Sequence, residues 1–437
     1  MSSQFALLKA RRFAPFFITQ FFGAFNDNLY KNALVVLFTF QAAHWTSLSP
    51  EIFANLAAGL FILPFFLFSA TAGQLADKVD KAWLIRWVKI LEIVIVGIAI
   101  AGFFWRSVGL LLAALFLLGL QSTLFGPAKY AILPQHLRAE ELIGGNALIE
   151  AGTFVAILFG ALAGGILAGL ENGPAWISGG ALAIAVAGYL ASRGIPVAPP
   201  PVPELKINPN PLSETWRTIA AARESRTVFL AILGISWFWL YGALFLAQFP
   251  AFARNELGGD EMAVTLLLAV FIVGIGTGSL LCERLSGKQL EIGLVPFGAI
   301  GLSLFGFDLA WASPAVIPAE APLSVPALLA LPAIWRVLID LLLLGVFGGF
   351  FTVPLYTLLQ MRSAPENRAR VIAANNILNA LFMVVGALAA ALLLGHGLSI
   401  PALFGVAAAC NAAMLWYLCR QEPEFRQRFV AWLRRSR

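Results

Sequence analysis

Charge is what this chain has least of. Asp, Glu, Lys and Arg make up 12% of its 437 residues, against 60% hydrophobic ones. Such a composition leaves too much apolar surface for a soluble globular domain. The three cysteines, Cys282, Cys410 and Cys419, have no metal-ligand spacing and suggest no disulfide framework. The three histidines, His44, His136 and His396, fall at loops or span ends, which argues against a buried histidine proton relay. There is no phosphate-cradling glycine loop, no metal-ligand cluster and no nucleophile elbow. The expectation is therefore no enzymatic activity, no cofactor and no metal. The N-terminus, MSSQFALLKARRFAPFF, lacks a small-residue cleavage site and runs on into a full span, so it reads as a retained first helix.

What the chain does have is long apolar runs. At about twenty residues per crossing, twelve candidates appear, near 13–41, 52–76, 84–104, 108–128, 144–169, 173–192, 227–250, 262–283, 290–312, 329–360, 370–394 and 399–419. The stretch RGIPVAPPPVPELKINPNPLSETWRTIAAARESR reads as an extended connector followed by a short amphipathic helix, Leu212 to Ala222. The expected organisation is a six-helix half over 1–192, a cytoplasmic linker over 193–226, a second six-helix half over 227–420 and a basic tail over 421–437. If the N-terminus is cytoplasmic, that side receives all of the 29 Lys and Arg except Lys31, Arg106, Arg254 and Arg336. Both termini are then cytoplasmic. The net charge of +6 follows this placement, so it points to topology and anionic membrane lipid rather than nucleic acid.

The first span is the exception to the apolar rule. FFITQFFGAFNDNLYKNALVVLFTF carries Asn26, Asp27, Asn28, Lys31 and Asn32, with Asp27 at the midpoint of 13–41. A charge at that depth costs roughly 2.5–3.5 kcal/mol, so the helix needs polar company inside a bundle. Gln20, Ala24, Asp27 and Lys31 share one stripe, and Asp27 and Lys31 form an i, i+4 acid–base pair. Two readings stand: a structural clasp between helices, or a substrate or ion site at mid-membrane. In FGPAKYAILPQHLRAEELIGGNALIEAGTF, Lys129 stands near the inner surface, where an ammonium can hold phosphate. Asn146, Glu150 and Thr153 then form a polar face at i, i+4, i+7. Pro127, Asn146 and Glu150 are echoed by Pro354, Asn375 and Asn379, a weak internal repeat of the kind a rocking transporter uses. Arg336 and Asp340 read as a local pair, and Lys89 with Glu92 as groups near the inner surface.

GQLADKVDKAWLIR, Gly73 to Arg86, is similar to the loop signature of the major facilitator superfamily. Gly73, Leu75, Asp77, Lys78 and Lys81 match, while Asp80 stands where glycine is usual. GSLLCERLSGK, Gly278 to Lys288, resembles the same signature in degraded form, with Glu283 and Arg284 in its charged part. Both read as gate elements. The N-D-N of the first span, GPAKYAIL, GGNALIEA and GGFFTVPLYTLLQ together resemble the bacterial lysophospholipid transporter family of that superfamily. QFALLKARRFAPFFITQFFGAFNDN and EPEFRQRFVAWL are closer still to the transporter portion of fusions with acyltransferase and acyl-carrier-protein synthetase domains.

The resemblance implies an all-α, twelve-helix major facilitator fold. It also implies inward movement of lysophospholipids, such as lysophosphatidylethanolamine, across the bacterial inner membrane for re-acylation by a cytoplasmic acyltransferase partner. The substrate-binding set it suggests is Asn26, Asp27, Asn28, Lys31, Lys129, Asn146, Glu150, Asn375, Asn376 and Asn379. Gly73, Asp77, Lys78, Lys81, Glu283 and Arg284 fall to gating. Phe21, Phe25, Phe61, Phe65 and Phe66 could line a slot for the acyl chain. One departure matters: the family carries a basic residue in the seventh span, and ISWFWLYGALFLAQFPAF has none. Two rivals stay open, a proton-coupled exporter of amphipathic molecules and a non-transporting membrane scaffold for acyltransferase partners. Topology is directly testable. A fluorescent reporter fused after Arg437 should fold on the cytoplasmic side, whereas alkaline phosphatase fused after Arg106 should be active; the reverse result would overturn the assigned orientation.

Overall fold

The computed structural model describes residues 3–40, 45, 50–313 and 322–435. Gln41, His44 and Arg437 lie outside the described residues. The helices in chain order are α1 (Ala14–Phe40), α2 (Pro50–Lys78), α3 (Lys81–Phe104), α4 (Val108–Ala131), the one-turn α5 (Leu133–His136), α6 (Leu142–Gly169) and α7 (Gly173–Ser192). They continue with α8 (Pro211–Arg223), α9 (Arg226–Asn255), α10 (Glu261–Leu285), α11 (Leu294–Ala312), α12 (Val325–Leu329), α13 (Pro332–Arg362), α14 (Arg368–Gly395), α15 (Ile400–Gln421) and α16 (Pro423–Arg435). Among the described residues there is no strand beyond one isolated bridge, Gly259 to Leu323.

Eleven of these helices are long and apolar enough to cross a membrane. The twelfth expected span is α1, whose 27 residues give ample length. It falls outside the set because Asn26, Asp27, Asn28, Lys31 and Asn32 lower its mean hydropathy. Its place is nonetheless interior. Leu29, Tyr30, Ala33, Leu34, Leu37 and Phe38 are all buried in one apolar cluster with residues of α2, α3, α4 and α7. The expected long tenth span divides into the short α12 and α13.

Contacts sort the chain into two compact units. The first comprises residues 1–145, 155–225 and 360–380, and the second 146–154, 226–359 and 381–437. Each unit therefore includes a short helical piece from the other half of the sequence. In the first unit α2 packs on α4, α3 lies against α4 and α7, and α1 joins α7, α2 and α4. Close approach is made by glycine. On α6, Gly160 faces the Phe25 carbonyl of α1, and Gly164 faces that of Leu29. The expected connector runs along this unit. Arg86 donates to the Ile195 carbonyl at 2.8 Å, and Gln135 to that of Pro199 at 3.0 Å. Arg12 grips Glu141 through two 2.6 Å hydrogen bonds, tying the N-terminal segment to the α5–α6 connection.

In the second unit α11 and α15 pack together, with α9 against α10 and α15. Gly274 and Gly278 of α10 lie directly over the carbonyls of Leu342 and Val346 on α13. Such small-residue seams give helices van der Waals contact that larger side chains would block. Asn411 of α15 clasps its neighbours, donating to the Ala299 carbonyl and Ser303 hydroxyl at 2.8 Å each and accepting from Trp237 Nε1 at 2.9 Å. The tail forms α16, with Phe425 buried and Trp432 Nε1 donating to the Leu285 carbonyl at 3.0 Å. Phe425 and Trp432 thus pack on protein, while Val430 and Leu433 stay exposed. One expectation is corrected here: Arg336 pairs with Asp308 of α11 at 2.5 and 3.1 Å, rather than with Asp340 on its own helix.

The glycine seams predict a contrast. Gly278→Val should lower stability by about 1–3 kcal/mol through overpacking, whereas Gly97→Val, with open space where its Cβ would stand, should change it little. Melting of the detergent-purified variants measures the difference, and equal melting temperatures would contradict the packing.

Candidate substrate-binding site

Consecutive helical residues point about 100° apart, so the N-D-N of α1 cannot act as one patch. Asn26 turns to α3 and donates to Glu92 Oε1 at 2.8 Å. Asp27 turns to α4, where it accepts from the Ser122 hydroxyl. Asn28 folds back, donating to the Ala24 carbonyl of its own helix at 2.8 Å, and Asn32 does the same to Asn28. Lys31 does share the Asp27 stripe, yet its ammonium lies over the Phe61 ring of α2, 5.4 Å from the centroid. The i, i+4 partners of the sequence therefore face different helices.

Glu92 is the group that sequence reasoning misplaced. It is fully buried, and it accepts from Lys89, from Asn26 and, at 3.2 Å, from Gln121 of α4. The Ser122 hydroxyl lies 3.3 Å from Gln121 Oε1, so the Asp27 and Glu92 carboxylates are joined through two adjacent α4 side chains. Lys89 is also buried, its stem crossing Gly188 of α7 and Gly23 of α1. Two bare glycines make room for one ammonium. The available signal was the apolar sequence around Lys89 and Glu92, inside a run long enough to span. One Asp27 oxygen, Oδ1, and one Asn26 oxygen, Oδ1, are buried with no hydrogen-bond partner among the described residues.

The polar line continues down α4. One turn beyond Ser122, Gly126 abuts the Asn376 carboxamide, and the carbonyl of Tyr130 accepts from Gln360 at 3.1 Å. Lys129 lies over the Tyr130 ring at 5.2 Å. Asn375 is fully buried, both its carboxamide atoms lacking a hydrogen-bond partner among the described residues, and Asn379 is buried one turn on. These residues, with Asp27 and Lys31, belong to the first unit. Asn146 and Glu150 belong to the second, both buried, with Asn146 donating to the Thr357 hydroxyl at 3.1 Å. Phe154, one turn past Glu150, stacks on Trp239, whose indole donates to the Tyr356 hydroxyl at 3.0 Å. The seventh span thus offers aromatic rings where a basic side chain was expected.

The expected gate residues of the α2–α3 loop form a cap. Asp77 accepts from the Ala369 and Arg370 backbone amides and from Arg370 Nε, at 3.1 to 3.3 Å. A carboxylate on the first amides of α14 meets both orphan donors and the positive end of the helix dipole. Gly73 permits this, since a Cβ there would press on Ala373 and the Arg370 backbone. Asp80, the departure from the signature, caps α3 through Trp83 N and holds the Ala198 amide of the connector, each at 2.7 Å. Lys81 is buried, its ammonium without a hydrogen-bond partner among the described residues, and Lys78 is half-buried. In the second copy of the signature Glu283 is half-buried and Arg284 exposed.

A bundle of hydrophobic helices with charges gathered in its interior and a carboxylate cap at a loop defines a polytopic membrane protein of the transporter kind. The sequence profile described as Major Facilitator Superfamily matches residues 16–323, and the chain belongs to that superfamily. It is 28% identical over 427 residues to the lysophospholipid transporter LplT of Salmonella arizonae, covering 93% of this chain and 95% of that one. The LplT of Cronobacter sakazakii is 28% identical over 357 residues, 79% of each chain. Among solved structures, the human organic anion transporter MFSD10 superposes with a TM-score of 0.71 at 16% identity, over 93% of this chain and 99% of its own. The fucose:proton symporter FucP of E. coli gives 0.66 at 12% identity, over 94% and 100%.

The buried ion pair generates a test of its own. Lys89→Met leaves Glu92 uncompensated and should destabilise the protein by about 3–5 kcal/mol. Adding Glu92→Gln should restore much of that loss. A double variant that melts no higher than Lys89→Met would show that the pair is not the compensating unit.

Proposed function

We propose that this chain transports lysophospholipids by the alternating access of its superfamily. The observation that carries the reading from geometry is the meeting of charge and aromatic surface in the first unit. Lys31 stands over Phe61, Phe61 packs on Phe65 at 6.1 Å, and Asp27 lies one turn from Lys31. Along α1 the rings of Phe13, Phe17, Phe21 and Phe25 follow one another at 6.0 to 6.4 Å. A single-chain lipid needs this pairing: an ammonium for its phosphate, a carboxylate for an amine and an apolar track for its tail. The similarity to relatives named lysophospholipid transporters, over most of the chain, supports the same substrate class.

In this proposal Asp27, Lys31, Asn375 and Asn376 of the first unit bind the headgroup, with Lys129 and Asn379 as further polar contacts there, and Asn146 and Glu150 are the polar contacts that the second unit offers. Asn26 positions Glu92, and Asn28 shapes its own helix. Gly73, Asp77, Lys78 and Lys81 serve as the gate, and Glu283 with Arg284 as its counterpart. The direction is inward across the bacterial inner membrane, with both termini cytoplasmic, and the product goes to a cytoplasmic acyltransferase. A second reading is favoured by the unpartnered Asp27 oxygen, which suits a titrating carboxylate in a proton-coupled exporter.

Uptake of lysophosphatidylethanolamine into transporter-deficient spheroplasts decides between them. Expression of the wild type should restore uptake. Asp27→Asn and Lys31→Ala should lower it about tenfold or more, the effect of losing one charge-assisted contact, while Lys31→Arg retains most of it. No uptake from a correctly inserted wild type, together with gradient-dependent extrusion of amphipathic dyes, would replace the lipid reading with the exporter.

A further inference from the structure

The second unit carries a polar constellation that the proposed transport path does not use. At the C-terminal end of α11 and the N-terminal end of α13, a groove of about 500 Å³ is lined by Leu304, Phe305, Phe307, Asp308, Trp311 and Arg336. Its walls are bare: Trp311 is 85% exposed, Leu304 58% and Phe307 47%. In a membrane protein such a surface faces lipid, and exposed tryptophan marks the level of the headgroups. Asp308 stands four residues before the end of α11, about 6 Å along the axis at 1.5 Å per residue. The head of a lipid can reach it there.

Two acids stand against one base. Arg336 holds Asp308 through both carboxylate oxygens. Asp340, one turn further along α13, sets its own carboxylate within hydrogen-bonding reach of Asp308. Asp340 is 2% exposed, and its Oδ2 is buried with no partner among the described residues. Two acids therefore face one guanidinium beside a lipid-facing groove, and in hydrogen-bonding reach of each other they hold a proton between them unless a cation replaces it. A second ionised acid next to hydrocarbon is costly, so a ligand that takes the proton's place has a definite chemistry. It must bring a cation to the acids, accept from a guanidinium fork and lay an apolar chain over Leu304, Phe307 and Trp311.

We propose that this groove binds a zwitterionic aminophospholipid. Its ammonium lies against Asp308 and Asp340, its phosphate accepts from Arg336, and its acyl chain runs along the Trp311 wall. The second acid, whose proton an ammonium can replace, selects an amine-bearing headgroup over an anionic one. The site deepens the proposed function, since a lysophospholipid with an ethanolamine head meets the same requirements and would collect here before transport.

The test is local to the groove. Purified full-length protein is irradiated with lysophosphatidylethanolamine carrying a diazirine in its acyl chain, and the modified peptides are mapped by mass spectrometry. Adducts should concentrate on residues 304–311 and exceed those from the matching lysophosphatidylglycerol probe about tenfold, as expected for one charge-assisted contact. Asp308→Asn/Asp340→Asn should abolish that preference, and Arg336→Gln should lower labelling by both probes. Trp311→Ala, which changes no charge at a fully lipid-facing position, should reduce labelling without changing the headgroup preference. Equal labelling by both probes in the wild type, or a preference that survives the double substitution in a protein of unchanged melting temperature, overturns the proposal. Labelling at 304–311 without uptake in spheroplasts would sink the transport reading and leave this site standing; uptake without such labelling would do the opposite.

Discussion

The pair formed by Lys89 and Glu92 is the constraint on which the first unit depends. A carboxylate or ammonium withdrawn from water loses several kcal/mol of solvation, and both residues are buried. The surrounding helices are arranged around that need. Asn26 of α1 and Gln121 of α4 supply the remaining hydrogen bonds to Glu92, while Gly23 and Gly188 leave space for the lysine stem. Four helices thus converge on one ion pair. Asp27 is joined to the same group through Ser122 and Gln121, so the electrostatics of the proposed binding residues are tied to the packing of the bundle.

Glycine and the loop acids perform related tasks at lower cost. Between apolar helices there is no hydrophobic drive toward association within a bilayer, so contact has to come from close packing. Gly160 and Gly164 provide it between α6 and α1, as Gly274 and Gly278 do between α10 and α13. At the α2–α3 loop a carboxylate does the corresponding work, with Asp77 meeting the first amides of α14 and the Arg370 side chain. That contact is made by two backbone hydrogen bonds and one ion pair. Asp80 shows how a departure from a signature can be absorbed: instead of supplying a turn glycine it caps α3 and fastens the connector.

The membrane-spanning architecture was legible in the sequence because hydrophobic length is a local property. Twenty apolar residues declare a span whatever they pack against, and eleven spans followed directly. Even the anomaly of α1 was legible, since five polar residues in a spanning helix demand an interior position. Helix-capping chemistry was less so. Asp77 could be singled out by its motif, but its partner lies near residue 370, almost three hundred residues away.

What only the tertiary structure decided is the pairing of the charges. Sequence spacing favours i, i+4 partners, and on that basis Asp27 belonged with Lys31 and Arg336 with Asp340. Instead Asp27 meets Ser122, Lys31 meets Phe61, and Arg336 meets Asp308. The physical reason is that a side chain in a bundle can be desolvated by a neighbouring helix, and the best compensation is then whatever that neighbour presents. The sequence by itself determined that α1 would bury polar and charged groups. Which groups compensate them depends on helix rotation and on contacts between distant segments, and that information exists only in the folded chain.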